Sequence, residues 1–250
     1  MSYEEPGSPD RYAGIAPGTR LVIVRHGEAV SNAEDTLGGH DTCKGLTEHG
    51  RQQVAALADR LKRTGELDGA AALYSSILRR AVETAEILAP ALGGLEIRST
   101  CSLCERHVGE ADGMTWAEFE ETYGREVPGV DDDRVVVPGA ESWRGFLDRA
   151  DAALVEVMRS HPEQLVVVAG HGGLVGASVI RFLGIPGNGA AFRGFADNSS
   201  MTEWWFTGRR FWFVRYNDAA HLDKEAWGAG HGLRLPPPSW VGYETEDTEA

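Results

Sequence analysis

Two apolar runs that each end on a histidine followed by glycine constrain this chain more than any other feature. Residues 21–24 (Leu-Val-Ile-Val) lead into Arg25, His26 and Gly27, and residues 165–169 (Leu-Val-Val-Val-Ala) lead into Gly170 and His171. Short apolar runs rich in valine predict buried β-strands. Open α/β sheets place their ligands beyond the carboxyl ends of their strands. We therefore expect both imidazoles at one edge of one sheet.

The rest of the chain alternates predicted strands with predicted helices. Strands are predicted at 21–25, 71–74, 95–98, 165–169, 201–206 and 211–216. Helices are predicted at 47–64, 79–92, 116–123 and 174–183, and a long amphipathic helix is predicted to begin at Ser142. This alternation predicts the α/β class, with a three-layer α/β/α sandwich around a mostly parallel sheet. The last two strands form a predicted hairpin.

The length of 250 residues fits one main domain. Residues 1–19 are rich in proline, glycine and charge and are predicted to be a flexible lead-in. The domain is expected at 20–222, followed by a C-terminal surface extension at 223–250. No apolar run approaches the roughly 18 residues of a membrane span. Residues 1–20 lack the apolar core of a signal peptide, so a cytoplasmic location is expected.

The charge balance constrains the partners. Lysine and arginine number 24 and aspartate and glutamate 38, which gives a formal net charge of −14. This argues against nucleic acid and anionic membranes as partners, because both require a basic face. A small anionic substrate remains compatible, because a local arginine cluster can bind it.

The cysteines are too few for a disulfide framework. Cys43, Cys101 and Cys104 are the only three in the sequence. The spacing of Cys101 and Cys104 is that of a redox pair or of half a zinc site, but a second pair is missing. Plain thiols are therefore expected, with no metal and no cofactor.

Several of the polar residues near the predicted strand ends suit a phosphate. Arginine binds two phosphate oxygens at once through its planar fork. Arg25 stands beside His26, and Arg80 opens a predicted helix, whose N–H groups also favour anions. An unprotonated histidine is a competent nucleophile toward phosphorus. Four of the other histidines are expected to be structural; these are His40, His49, His161 and His231.

Motifs along the chain resemble one known family. They are Arg25-His26-Gly27-Glu28 with Asn32, then Gly45-Leu46-Thr47-Glu48-His49-Gly50, then residues 74–85, Leu103-Cys104-Glu105, 139–142 and 170–173. In this order they resemble the histidine phosphatase superfamily, the phosphoglycerate mutase-like proteins, over roughly residues 20–220. Each motif alone is weak evidence for the family, but their occurrence in this order is specific to it. The resemblance implies a phosphoglycerate mutase-like fold.

The resemblance also implies a role for each matching residue. His26 is the phosphorylated nucleophile, and Glu105 protonates the leaving oxygen and then activates water. The residues that it assigns to the phosphoryl oxygens are Arg25, Asn32, Arg80, His171 and Gly172. The alanine at position 29 departs from the serine or threonine that the family often has, so one hydroxyl donor is missing.

A phosphatase acting on a small phosphorylated metabolite is the favoured function, and a phosphoglycerate mutase is the alternative. Glu105-Arg106-His107 resembles the Glu-Arg-His of the mutases, but Val108 stands where an aromatic residue is expected. A mutase needs extra cations for a second phosphate, whereas residues 105–140 are mainly acidic. The predicted function is therefore hydrolysis of a phosphomonoester through a phosphohistidine.

Two further classes of function fit the sequence less well. A non-catalytic phospholigand-binding module predicts the loss of His26, His171 or Glu105, and all three are present. A metal hydrolase with these residues as ligands conflicts with the adjacent Arg25. The aromatic residues of the predicted hairpin fit either a core or the edge of a homodimer, so the oligomeric state stays open.

Overall fold

A six-stranded sheet forms the centre of the molecule. The computed structural model describes residues 12–124, 132–186 and 196–222. The strands are β1 (Arg20–Arg25), β2 (Ala72–Ser75), β3 (Ile97–Ser99), β4 (Leu165–Gly170), β5 (Met201–Phe206) and β6 (Phe211–Asp218). Their order is β3-β2-β4-β1-β5-β6. The first four strands are parallel, and β5 and β6 form an antiparallel hairpin, with β5 antiparallel to β1. The predicted mostly parallel sheet is confirmed.

Helices cover both faces of this sheet. They are α1 (Val30–Ala33), α2 (Glu48–Thr64), α3 (Arg79–Leu88), α4 (Trp116–Tyr123), α5 (Trp143–Arg159) and α6 (Gly172–Phe182). Alternate residues of β1 face opposite layers, as the period of a strand requires. Val22 and Val24 pack with α2 and α3, and Leu21 and Ile23 pack with α5 and α6. This is the predicted three-layer sandwich.

The helix ends follow local chemistry. Thr47 caps α2 through its side-chain oxygen, which accepts from the N–H of Gly50 at 2.9 Å, and Gly65 ends the helix with a φ of 65°. The predicted helix at 79–92 is wrong at its C-terminus, because α3 ends at Leu88 and a 3-10 helix follows. Pro90 lies in the first turn of that 3-10 helix and lacks the N–H that an α-helix needs.

Two boundaries differ from the sequence prediction in ways that matter. Helix α6 begins at Gly172 rather than at 174, so two glycine N–H groups belong to its first turn. The predicted lead-in 1–19 is wrong from Tyr12 onward, because Tyr12 and Ile15 are 8% and 5% exposed within the core. The Tyr12 hydroxyl also donates to the carbonyl of Arg181 at 2.6 Å. Residues 1–11 and the predicted extension 223–250 lie outside the described part of the chain.

The surface carries an aromatic strand at one edge. Strand β6 lies at the end of the sheet, and the exposed apolar side chains of the hairpin are Trp205, Trp212, Phe213, Val214 and Tyr216. Exposed apolar side chains at a sheet edge are compatible with either a monomer or a homodimer, so the homodimer stays a prediction. Among the described helices, none combines the length and apolar character that crossing a bilayer requires.

Candidate active site

The carboxyl ends of β1 and β4 bring the two glycine-flanked histidines together. The two strands are parallel neighbours, with Arg25 opposite Gly170. The N–H of His26 donates to the carbonyl of Gly170 at 2.9 Å, which continues the ladder by one residue. The ring centroids of His26 and His171 lie 5.3 Å apart. The structure thus places both imidazoles at one edge of the sheet, as expected.

His26 has the protonation state of a nucleophile. Its Nδ1 lies 2.7 Å from the carbonyl oxygen of Gly27, which can only accept, so Nδ1 is the donor. Its Nε2 accepts a hydrogen bond of 3.1 Å from Nε of Arg80 and carries no proton. Burial, followed by the charges of Arg80 and Arg25, lowers the pKa of His26 well below 6.5. A neutral imidazole is therefore present at neutral pH, and its Nε2 lone pair becomes available for attack when a phosphoryl group takes the place of the hydrogen bond from Arg80.

Arg80 reaches His26 from the first turn of α3. Besides Nε2 of His26, its guanidinium donates to the carbonyl of Gly38 at 2.9 Å and to Sγ of Cys43 at 3.3 Å. The side chain is only 4% exposed. These partners fix a cationic fork directly beside the Nε2 atom, where a phosphoryl group would arrive.

Arg25 is the second cation of the site. One of its terminal nitrogens donates to the carbonyl of Ala196. Its Nε is buried and has no hydrogen-bond partner among the described residues. Burial lowers the pKa of Arg25, while Glu105 and Asp197 raise it. Because an unpaired buried donor is costly, an anion bound beside Arg25 would be stabilised.

His171 is held by a serine that the sequence analysis did not single out. Ser76 Oγ lies 2.7 Å from Nε2 of His171 and accepts from the N–H of Leu78 at 3.0 Å. The Ser76 hydroxyl can donate to Nε2, and the proton of a neutral imidazole then lies on Nδ1. That Nδ1 is buried without a partner in the described chain. Burial, then the charge of Arg80, lowers the pKa of His171 well below 6.5. His171 is thus a neutral donor.

Glu105 meets the first turn of α6. Its Oε2 accepts from the N–H of Gly173 and its Oε1 from the N–H of Arg106, each at 2.9 Å. A Cβ atom on Gly173 would lie 1.9 Å from Oε1, so only glycine permits this contact. The turn that follows β4 therefore carries His171 and also places Glu105.

The two remaining predicted phosphate ligands are less directly placed. Asn32 is exposed, and its Oδ1 accepts from the N–H of Ala29 at 3.0 Å and from Asn198 at 3.4 Å. Asn198 also donates to the carbonyl of His26 at 3.1 Å. Gly172 is the first residue of α6, and its Cβ position would be 3.5 Å from Nε of Arg25. Asn198 was missed because no pattern in the sequence marks it.

The assembled groups can bind a phosphoryl group and accept it. Two guanidinium groups and a neutral imidazole donor surround an unprotonated imidazole nitrogen. Charge on the equatorial oxygens of a phosphoryl-transfer transition state is best met by such preorganised donors. Glu105 supplies a carboxyl group for proton transfer nearby.

Comparisons with known proteins agree with this geometry. The family model of the histidine phosphatase superfamily (branch 1) matches residues 21–219. Phosphoglycerate mutase-like protein 4 of Arabidopsis thaliana is 35% identical over 158 residues, covering 62% of this chain and 67% of that protein. The metal-independent phosphoserine phosphatase of the same plant is 30% identical over 207 residues, covering 82% of this chain and 83% of that protein.

A solved structure gives the same picture. It is the mycobacterial glucosyl-3-phosphoglycerate phosphatase in complex with inorganic phosphate. It superposes with a TM-score of 0.66 at 29% identity and covers 82% of this chain and 100% of that one. The chain therefore belongs to branch 1 of the histidine phosphatase superfamily and is a phosphoric monoester hydrolase.

Proposed function

We propose that this chain hydrolyses small phosphomonoesters through a phosphohistidine on His26. The observation that carries the proposal is the neutral, buried imidazole whose unprotonated Nε2 faces Arg80 at 3.1 Å. In the first step Nε2 forms a bond to phosphorus as the bond to the alcohol oxygen breaks. Arg25, Arg80 and His171 stabilise the charge on the phosphoryl oxygens during this transfer.

Glu105 moves the protons in both steps. Its carboxyl group protonates the departing alcohol oxygen, which an alkyl ester requires because an alkoxide leaves poorly. The resulting carboxylate takes a proton from the water that attacks phosphorus in the second step. Inorganic phosphate then departs, and His26 returns to its neutral state. The contacts to Gly173 and Arg106 keep the carboxyl group in one position through the cycle.

The experiment that tests this step is trapping of the phosphoenzyme. The protein is mixed with a radiolabelled phosphomonoester and quenched with base, in which a phosphohistidine survives. We expect base-stable, acid-labile label on the wild-type chain and none on a folded His26→Ala variant, together with loss of turnover. His49→Ala, a change at an exposed histidine of α2, should label like the wild type. Label and turnover that persist in His26→Ala would disprove the proposal.

The substrate class that we propose is a phosphomonoester that also carries a carboxylate. Arg106 follows Glu105, and its guanidinium lies 6.0 Å from the ring centre of Trp143. Burial lowers the pKa of Arg106, although Glu105 and Glu141 raise it. No ion pair of this guanidinium is found within the described ranges. Phosphoserine and glucosyl-3-phosphoglycerate, for which the relatives are named, both carry a carboxylate that an arginine fork can bind.

A substrate comparison tests this assignment. Arg106→Gln should lower kcat/KM for phosphoserine and the phosphoglycerates about tenfold or more, the worth of a charged hydrogen bond. The loss should be mainly in KM, and p-nitrophenyl phosphate, which has no carboxylate, should be unaffected. An equal loss on all substrates would contradict it. Transfer of the label from His26 to added phosphoglycerate, rather than to water, would instead support the mutase alternative.

A further inference from the structure

A cluster of soft ligands lies outside the residues used above. It consists of His40, Cys101 and His107. His40 belongs to the loop between α1 and α2, Cys101 opens a 3-10 helix after β3, and His107 lies two residues beyond Glu105. One ligand atom from each lies within 4.8 Å of the others. No local spacing in the sequence predicts this grouping, because its three residues come from separate segments of the chain.

The distances match those around a tetrahedral metal. His40 Nε2 lies 3.3 Å from Sγ of Cys101, and that Sγ lies 3.6 Å from Nε2 of His107. Zinc–sulfur and zinc–nitrogen bonds of about 2.3 and 2.0–2.1 Å at a tetrahedral angle place sulfur and nitrogen about 3.5–3.6 Å apart. The two imidazoles pack edge to face, with ring centroids 4.7 Å apart. Both Nε2 atoms therefore face the same sulfur at the spacing of a zinc site.

A carboxylate stands behind one of the imidazoles. Glu141 Oε2 lies 3.9 Å from Nδ1 of His107 and accepts from the backbone N–H of His107 at 3.0 Å. Arg149 holds Glu141 through two hydrogen bonds of 2.7 Å. Histidine ligands of metals ordinarily direct their second nitrogen at such a carboxylate. His107 is thus oriented with Nε2 toward Cys101 and Nδ1 toward Glu141.

The loop that carries His40 is fixed independently. The Asp112 carboxylate accepts from the N–H groups of Gly39 at 2.7 Å and Asp41 at 2.8 Å, which flank His40 on both sides. A Cβ on Gly39 would lie 2.6 Å from the Asp112 carboxylate, so the contact is close. Binding of a metal by a side chain on a preformed loop costs less conformational entropy than binding by a side chain on a mobile loop.

We propose that His40, Cys101 and His107 bind one Zn²⁺ ion, with the fourth coordination position open to water. Thiolate and imidazole together select zinc over magnesium or calcium. On binding, the Cys101 thiol loses its proton to solvent and the sulfur forms the bond to zinc. Cys104 is not counted as a fourth ligand, because it does not belong to the group of side chains whose ligand atoms all lie within 4.8 Å of one another.

The site would cross-link two segments that border the catalytic residues. The loop of His40 also carries Gly38, whose carbonyl accepts from Arg80. The segment of His107 begins with Glu105. The ligands of this ion are separate from His26 and His171. The inference therefore does not depend on the proposed function.

Metal binding by the full-length protein tests the proposal directly. After treatment with a chelator and its removal, calorimetric titration with Zn²⁺ should show one ion per chain. Zn²⁺ at about 100-fold excess over its Kd should raise Tm by roughly 5–10 °C. Co²⁺ in place of Zn²⁺ should produce a thiolate-to-cobalt charge-transfer band, and Cys101→Ser should abolish that band.

Variants distinguish this site from others on the chain. His40→Ala, Cys101→Ser and His107→Ala should each weaken Zn²⁺ binding by more than the roughly 10–100-fold that loss of an outer partner costs. His49→Ala, at an exposed histidine, should bind like the wild type. His26→Asn should also bind normally, and it separates this proposal from metal capture by the catalytic histidines. Absence of a stoichiometric site in the wild type, or binding unchanged in Cys101→Ser, would overturn the proposal. Circular dichroism in chelator confirms that each variant is folded.

Discussion

The Nε atom of Arg80 donates a hydrogen bond of 3.1 Å to Nε2 of His26, the atom that attacks phosphorus in the proposed reaction. The cation thus holds the ring in position and disfavours its protonation. A phosphoryl group that binds at Nε2 replaces this hydrogen bond, and the Nε–H of Arg80 can then donate to a phosphoryl oxygen. Because Gly38 and Cys43 hold the guanidinium in place, charge that develops on that oxygen is stabilised with little reorganisation.

Removal of the Arg80 guanidinium should lower the turnover of every substrate. Arg80→Ala should lower kcat by about 10²–10³-fold, the typical cost of one transition-state donor, and His171→Ala should do the same. Steady-state rates on an alkyl and an aryl phosphate measure it. Arg79→Ala is the matched control, because Arg79 is exposed and pairs with Glu83. A loss confined to one substrate would instead assign Arg80 to recognition of the leaving group.

The effect of removing the carboxyl group of Glu105 should depend on the leaving group of the substrate. General acid–base catalysis contributes roughly 10²–10⁴-fold, and alkyl phosphates need it most. Glu105→Gln should therefore cripple hydrolysis of phosphoserine. It should spare the pre-steady-state burst with p-nitrophenyl phosphate, whose leaving group needs no proton. Equal loss of burst rate on both substrates would exclude Glu105 as the acid.

A methyl group at position 173 of α6 should cause the same leaving-group-dependent loss of activity, because Gly173 contacts the Glu105 carboxyl group. Gly173→Ala places a Cβ 1.9 Å from Glu105 Oε1, so the carboxyl group must move. We expect the same selective loss on alkyl phosphates, with the aryl burst retained. Gly176→Ala is the control on the same helix, since a Cβ there meets nothing within 4 Å. A Gly173→Ala variant with normal kcat on phosphoserine would show that this contact does not position Glu105.

The sequence predicts the edge of the sheet well and its surroundings less well. The runs before His26 and His171 are apolar and valine-rich, so two buried strands that end at one edge of a sheet follow from the sequence pattern, whereas the direct pairing of β1 with β4 is visible only in the structure. Thr47 and Gly65 mark both ends of α2 by local capping. These features depend on neighbours in the chain and are therefore visible in the sequence.

Contacts between distant segments were not predictable in this way. Ser76 meets His171 across 95 positions, and Asn198 meets His26 across 172. Tyr12 has no periodic partners near it in the chain, yet its ring packs edge to face on Phe182 at 5.8 Å. Such pairings arise from the crossovers of the fold. No spacing in the sequence encodes them.

The hydroxyl of Ser76 should set the tautomer of His171. Ser76→Ala removes the donor at Nε2, so the proton is no longer confined to Nδ1. We expect about a fivefold fall in kcat, in line with a net hydrogen-bond contribution near 1 kcal/mol. Nitrogen NMR of the His171 ring reports the tautomer directly and separates this role from a merely structural one. Ser75→Ala, which removes a hydroxyl bonded only to the backbone, is the control.

The pH dependence of stability follows from the buried imidazoles. Burial lowers the pKa of His26 and His171 well below 6.5 in the folded chain. Above about pH 6.5 both histidines are neutral whether folded or unfolded, so they cause no pH dependence. Below it the unfolded chain binds more protons, and the free energy of unfolding falls as the pH decreases toward the folded pKa.

Replacement of one of these histidines should reduce the fall in the free energy of unfolding at low pH. Between about pH 7.5 and about pH 5.5, a histidine that stays neutral in the folded chain destabilises the fold by about 1 kcal/mol. The free energy of unfolding of His171→Asn, measured in urea, should therefore fall by about 1 kcal/mol less than that of the wild type over this range. His49→Asn, at an exposed position, should behave as the wild type does. Because His221 also has a lowered pKa of about 4, some acid sensitivity should persist in the variant. Identical losses in His171→Asn and the wild type would show that His171 is not held neutral in the folded protein.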